Sequence, residues 1–286
     1  MEEGIISIKK PMAIVWLSHG VHGNEAGASE SSLLTAYLLA GKSNREIQRW
    51  LENTIVIIDP SLNPDGYSRY THWNRNISNQ QIAPVHDARE HHEPWPGGRV
   101  NHYLFDLNRD WAWATQVETQ QRLKLYQQWL PHIHADFHEQ GLNDPYYFAP
   151  AAQPYHTYIT DWQSDFQYEI GKNHAAYFDR EGWLYFTREI FDLFYPSYGD
   201  TYPTFNGAIG MTYEQAGHSF SGRAVIMENG DTLTLSDRVN HHQTTALSTV
   251  EMASKNAERL INEFQNYFQA VMDNPPGEYK SIIIKG

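Results

Sequence analysis

The sequence predicts an α/β protein, with a mixed, mostly parallel, doubly wound sheet flanked by helices. Three observations carry that prediction. Residues 12–17 and 54–59 are apolar runs without polar alternation, as expected of parallel strands covered on both faces. Stretches with helical spacing follow several of the strand-like runs, which is the βαβ rhythm of such folds. The strand-like runs end in small and polar residues (Ser18-His19-Gly20, Asn63-Pro64-Asp65-Gly66), at the edge where sites of open α/β sheets lie.

The elements follow in order. After the first strand, residues 26–39 place Leu33, Leu34, Tyr37 and Leu38 at helical spacing, and 44–51 form a second short helix. Thr54-Ile55-Val56-Ile57-Ile58-Asp59 is a β-branched strand. Residues 60–105, rich in Pro, Gly, Asn and His, read as one long loop, and loops of that length within a compact domain are usually functional. A helix over 116–129 leads into a strand over 131–138, and another helix covers 161–181. A Gly/Tyr/Pro loop over 195–210 precedes a short strand at 211–214. One long terminal helix is expected over 247–272, amphipathic across 257–270. One domain thus spans 1–274. Asn274-Pro275-Pro276-Gly277 reads as a linker, and Ser281-Ile282-Ile283-Ile284 as the opening strand of a following module, so 275–286 lies outside the domain.

Composition narrows the function. The 286 residues carry 21 Lys+Arg against 34 Asp+Glu, a net charge of −13, with no basic run to suit nucleic acid or an anionic membrane. No stretch approaches the roughly 18 apolar residues of a membrane span. With no cysteine, disulfides, thiolate-bound zinc and cysteine nucleophiles are excluded. The N-terminus shows no signal peptide. The 14% aromatic content suits peptide or carbohydrate binding as well as an aromatic core.

The chemistry starts at Trp16-Leu17-Ser18-His19-Gly20-Val21-His22-Gly23-Asn24-Glu25, where a strand turns into a helix. His22 and Glu25 supply one nitrogen and one carboxylate oxygen, two of the three protein ligands of an open catalytic zinc site. A distant histidine must complete the set, and His138 ends another strand. Glu214 ends a third. In a doubly wound sheet these three strand ends share one edge. A thermolysin-like site is excluded, because His138-Glu139-Gln140-Gly141-Leu142 lacks the second His of H-E-x-x-H. Gly217-His218-Ser219-Phe220-Ser221 fails the serine-hydrolase elbow at its last glycine. His91-His92-Glu93 offers a weaker second metal cluster, more simply read as packing beside the cleft.

The order of the remaining motifs is Asn63-Pro64-Asp65-Gly66, Arg99, Asp106-Leu107-Asn108-Arg109, Asp136-Phe137-His138 and Thr212-Tyr213-Glu214. From Ala13 to the terminal helix this series resembles the zinc metallocarboxypeptidases of the carboxypeptidase A type, most closely the bacterial branch that carries the catalytic domain within a longer secreted polypeptide. The resemblance implies that His22, Glu25 and His138 bind one Zn²⁺ per chain and leave a fourth position open. It implies that Glu214 is the general base and that Arg99, seven residues before Asp106, stabilises the oxyanion, with Arg69 and Arg75 as competing candidates. Asn108 and Arg109 would grip the terminal carboxylate of the substrate, and Asp106 would orient His22 or, on the plainer reading, cap a helical turn. Tyr195, or alternatively Tyr198, would close over the substrate.

The implied activity is hydrolysis of the C-terminal peptide bond of peptides or proteins. The alternatives are a zinc amidohydrolase acting on acyl-amino acids or cell-wall peptides, and a non-catalytic binding domain with a vestigial site. Peptide and protein C-termini are the implied partners, together with further domains of a parent chain, and the implied location is secreted or periplasmic. The loop over 195–210 should form the specificity pocket. The loop is aromatic and polar with one acid, and a hydrophobic or aromatic terminal residue is expected on the substrate, unless Asp200 points inward and favours basic residues. The pattern departs from the family in that only 21 residues precede His22, where the family usually has more. The expectation is either a true start further upstream or a fragment that lacks the usual N-terminal part of the fold. An uncovered sheet edge would promote strand exchange or aggregation; a clean monomer on size-exclusion chromatography would count against it.

Overall fold

The computed structural model describes residues 11–41 and 44–273. Strand β1 (Ala13–His19) leads to α1 (Ala26–Ala40) and α2 (Arg45–Trp50), then β2 (Thr54–Asp59), α3 (Pro64–Ile77) and α4 (Val117–Trp129). Next come β3 (Ile133–Gln140), β4 (Tyr146–Tyr147), β5 (Ala152–Tyr155), α5 (Asp161–Glu181), β6 (Tyr185–Phe186), β7 (Asp192–Leu193) and α6 (Thr201–Phe205). The chain closes with β8 (Ile209–Ala216), the hairpin β9 (Ala224–Ile226) and β10 (Thr232–Thr234), and the helices α7 (Leu235–Lys255) and α8 (Ala257–Asp273).

The main sheet has the order β2-β1-β3-β8-β4-β6. Only the β4–β8 pair is antiparallel, so the sheet is mixed and mostly parallel, with helices on both faces. The absence of alternation in β1 now has its cause. Val15 and Leu17 join a core with Ala28, Phe137, Tyr213 and Val250 on one face. Trp16 enters a second cluster with Leu107, Trp111, Leu123 and Tyr126 on the other. Among the described residues β2 forms one edge of the sheet. No helix among them is long and apolar enough to cross a membrane. The expected linker and following strand, residues 274–286, lie outside the described residues.

Two expectations need correction. Residues 60–105 are not a single loop, because α3 occupies 64–77. The Asn63 side chain accepts from the Gly66 N–H at 2.9 Å, Pro64 sits in the first turn where its missing N–H costs nothing, and Asp65 follows. The Asn63-Pro64-Asp65-Gly66 motif, placed within that expected loop, is a helix start. The terminal helix is also two helices, meeting at Asn256, and the first begins at Leu235 rather than near 247. A reciprocal cap between Thr234 and Asp237 opens it. Apolar spacing failed there because the inward face of α7 is polar. His242 and Thr245 bind the Tyr146 hydroxyl, Thr249 binds that of Tyr213, and Ser248 meets His174.

Buried histidines make the fold acid-sensitive. Burial lowers the pKa of His19 and His174 from 6.5 to about 3, and that of His134 to about 4. Below pH ~6.5 the unfolded chain binds protons that these folded histidines refuse, so they lower stability as pH drops towards 4, by up to ~1.4 kcal/mol per pH unit each. They are opposed in part by Glu139 and Glu214, raised by burial, and by His138, raised by neighbouring carboxylates against its burial, all of which gain protons on folding. Urea midpoints at about pH 7.5 and about pH 5 check this, and equal midpoints would contradict it.

Candidate active site

The parallel strands β1, β3 and β8 bring their C-terminal ends to one edge, where His138 of β3 stands in register with Glu214 of β8. After β1 the chain crosses the start of α3 at very short range. A Cβ on Gly23 would lie 2.0 Å from the Tyr67 nitrogen, so only glycine permits this packing of the His22–Glu25 loop against the Asn63–Gly66 helix start. Glu25 then occupies the N-cap position of α1.

His22, Glu25 and His138 are buried, and one donor atom from each lies within 4.8 Å of the others. His22 Nδ1 stands 2.8 Å from Glu25 Oε1, and His138 Nδ1 stands 3.2 Å from Glu25 Oε2. Each ring is fixed from behind. His22 Nε2 contacts Asp106 Oδ1 at 3.0 Å and His138 Nε2 contacts Asp136 Oδ2 at 2.9 Å. A carboxylate on Nε2 selects the tautomer that leaves Nδ1 free to bind a metal. Electrostatics agree. Burial opposes charge on Glu25, Asp136 and His138, yet the imidazoles hold the Glu25 and Asp136 carboxyls low, while the carboxylates hold His138 well above its ordinary value. The cluster is built to surround positive charge, and two nitrogens with one carboxylate fit catalytic zinc. His91-His92-Glu93 forms no such cluster: His91 bonds the Phe220 and Ala83 carbonyls, and Glu93 accepts from Asn24 and Gly98.

Beside the cluster opens a cavity of ≈ 390 Å³, whose walls include Arg99, Asn108, Arg109, Tyr198, Asp200 and Glu214. Burial, reinforced by the Glu25 and Asp136 charges and opposed by His138 and Arg99, pushes the Glu214 carboxyl up to about 8. Asp106 serves both of its expected roles, capping the short turn at Leu107–Arg109 through the Asn108 N–H (2.9 Å) while it holds His22. It also pairs with Arg99 at 2.9 Å, so His22 and Arg99 are tied to one carboxylate. Although half-buried, this carboxyl lies well below the ordinary range because of His22 and the two arginines.

Of the three candidate arginines, Arg99 reaches the cavity and comes within 3.9 Å of Glu25. Arg69 is spent on the carbonyls of Gly97, Val100 and Asn101, and Arg75 is exposed near the end of α3. Asn108 accepts from the Gly199 N–H at 2.8 Å, with its amide nitrogen 3.5 Å from His138 Nε2. The Arg109 guanidinium lies over the Tyr198 ring at 4.6 Å. The Tyr195 hydroxyl accepts from Trp113 Nε1 at 2.8 Å, outside the residues that line the cavity, and Tyr198 occupies the wall instead.

Sequence reasoning passed over two residues. Asp136 stands two positions before His138, so strand alternation alone places both on one face of β3. His218 holds a left-handed φ of 52° and brings Nε2 within 3.9 Å of Glu25 Oε1. The preceding Gly217 was the only sequence sign of an unusual backbone.

Residues 7–169 match the family model described as zinc carboxypeptidase. The chain belongs to the zinc carboxypeptidase family. Among its relatives, Carboxypeptidase 2 of Trichophyton tonsurans is 29% identical over 143 residues, covering 46% of this chain and 20% of that protein. Human Carboxypeptidase Z is 32% identical over 99 residues, covering 34% of this chain and 13% of that protein. The matched region is therefore a fifth or less of these relatives' own length. A metallo-carboxypeptidase from Burkholderia cenocepacia superposes with TM-score 0.64 at 14% identity, over 86% of this chain and 58% of that one. One from Pseudomonas aeruginosa, solved with (2-guanidinoethylmercapto)succinic acid, gives TM-score 0.60 at 13% identity, over 89% and 60%. At such identity these structures speak to the fold. The family match ends before Glu214, so for this family member the case for Glu214 rests on its register with His138.

Proposed function

We propose that this chain is a zinc-dependent metallocarboxypeptidase that releases the last residue of peptides or proteins, exported as part of a longer polypeptide. One observation carries the reading: a His/Glu/His metal cluster, a buried carboxyl raised to about 8 and an Asn-Arg pair face the same cavity. Bound at His22, Glu25 and His138, zinc supplies a Lewis acid that polarises a carbonyl and acidifies water. The protein does the rest. Arg109 takes the substrate's terminal carboxylate through its planar fork, assisted by the Asn108 amide. That anchor limits attack to the last peptide bond. Arg99 donates to the scissile carbonyl oxygen as negative charge develops there. Glu214 removes a proton from the attacking water and returns it to the leaving amine, so water adds across the C–N bond to give a shortened peptide and a free amino acid.

The test is release of the C-terminal residue from a peptide with a free carboxylate and from the same peptide amidated. Release from the free acid alone supports the proposal. Turnover of acyl-amino acids without release from any peptide would favour the amidohydrolase.

For the released side chain, Asp200 and Asp192 on the cavity wall favour lysine or arginine. The Asp200 carboxylate is buried, accepts from the Thr201 and Thr212 hydroxyls at 2.9 Å, and is raised by that burial. Asp200→Asn keeps this shape and removes the charge, and is expected to lower kcat/KM for C-terminal Arg about 30-fold or more relative to C-terminal Leu. An unchanged ratio would assign the preference elsewhere.

A further inference from the structure

The N-cap position of α1 is held by Glu25, whose carboxylate faces the two histidines and makes no side-chain cap bond to the helix. The first turn of α1 carries no acidic residue either. Its Gly27 N–H instead donates to Oε1 of Glu139 at 2.7 Å, a carboxylate from β3 one position beyond His138. A Cβ on residue 27 would lie 2.4 Å from that oxygen, so glycine is what admits it. Glu139 is in turn gripped by Arg238 of α7, at 2.8 Å and 3.1 Å, and both side chains are almost wholly buried. The second arm of Arg238 donates to the Gly222 carbonyl in the loop that leaves β8. A Cβ on Gly217, where β8 exits, would come within 2.7 Å of the Arg238 side chain. The exits of β1, β3 and β8, which carry Glu25, His138 and Glu214, therefore converge on one buried pair.

We propose that Glu139 is a positioning residue that caps α1 in place of Glu25, so that the Glu25 carboxylate is held at the metal donors, and that Arg238 provides the charge that makes the buried cap tolerable. The physical reason is that both Glu25 oxygens face the histidines, Oε1 towards His22 and Oε2 towards His138, which leaves the N–H groups of the helix start to another acceptor. A carboxylate on the free N–H groups also stabilises the helix terminus that carries Glu25. Arg238 is needed because an unpaired buried carboxylate is costly.

This inference rests on the metal reading above. The probe is Co²⁺, titrated into metal-stripped protein, with affinity read by competition against a chelator and geometry by the visible ligand-field spectrum. Glu139→Ala alone strands a buried arginine and risks unfolding, so two double variants are compared. Glu139→Gln with Arg238→Met removes the ion pair but keeps a carbonyl oxygen to accept from Gly27. Glu139→Ala with Arg238→Met removes the cap as well. The first is expected to bind Co²⁺ within about threefold of wild type with an unchanged spectrum. The second should bind about tenfold or more weakly, with a shifted spectrum, in the range of changes that disturb ligand support. Equal affinities and spectra in the two doubles, whether both intact or both impaired, would overturn the capping role. A wild-type protein that takes up no Co²⁺ would overturn the metal reading, and this inference with it.

Discussion

Glu214→Gln is expected to lower kcat by about 10²- to 10⁴-fold, the usual worth of a positioned general base, while the chain keeps its metal. The two effects separate because Glu214 stands in register with His138 without belonging to the His22/Glu25/His138 donor set. Glutamine preserves the size and polarity of the side chain and removes only its capacity to hold a proton. The pH dependence follows from the same carboxyl. Burial raises it to about 8, and the base works only when ionised, so activity rises with pH through its pKa. A cation held by the neighbouring ligands draws that pKa down, so the acidic limb of kcat/KM belongs below 8 and disappears in the variant. Loss of zinc together with activity in Glu214→Gln would contradict this assignment.

Arg99→Ala is expected to cost about 10²- to 10³-fold in kcat with little change in KM, as when one oxyanion donor is removed. Arg99 is aimed at the site by Asp106, which accepts from its Nε and Nη2 at 3.2 Å and 2.9 Å while holding His22 on its other oxygen. Removing the arginine leaves Asp106 on His22, so metal content should persist. Arg69→Ala is the control. Its guanidinium binds three loop carbonyls, and its loss should lower thermal stability more than the chemical step. A larger fall in kcat from Arg69→Ala than from Arg99→Ala would move the oxyanion role to Arg69.

What the sequence made legible was what depends on short spacing. The apolar run of β1 announced a buried parallel strand because both faces of the sheet are covered there, whereas β2, parallel as expected, lies at the sheet edge and is only half-buried beyond Thr54. His22 and Glu25 could be paired because they stand three positions apart at a strand-to-helix turn, and His138 and Glu214 because both lie near strand ends, two residues before Gln140 and Ala216. Helix α3 was hidden behind a motif that reads equally as a turn. Its inward residues, Gly66 and Tyr70, give almost no apolar spacing. The first half of α7 was hidden because its buried face is Arg238, His242, Thr245 and Ser248, which bond polar groups of other elements, Glu139, Tyr146 and His174, instead of presenting apolar surface. Asp136 was within reach of strand alternation. The link between Glu139 and Arg238 was not, since it spans 99 positions and exists only once α7 lies over β3. Tyr198 and Tyr195 share one short loop, and only the packing of Trp113 against Tyr195 separates them.

The most direct test of the central claim measures zinc per chain and, on the same preparation, release of the last residue from a free-acid peptide with and without chelator. About one zinc per chain, with release abolished by chelator and restored by adding zinc back, is the predicted result. Release that persists after the metal has been stripped, or folded protein that binds no zinc, would contradict the account.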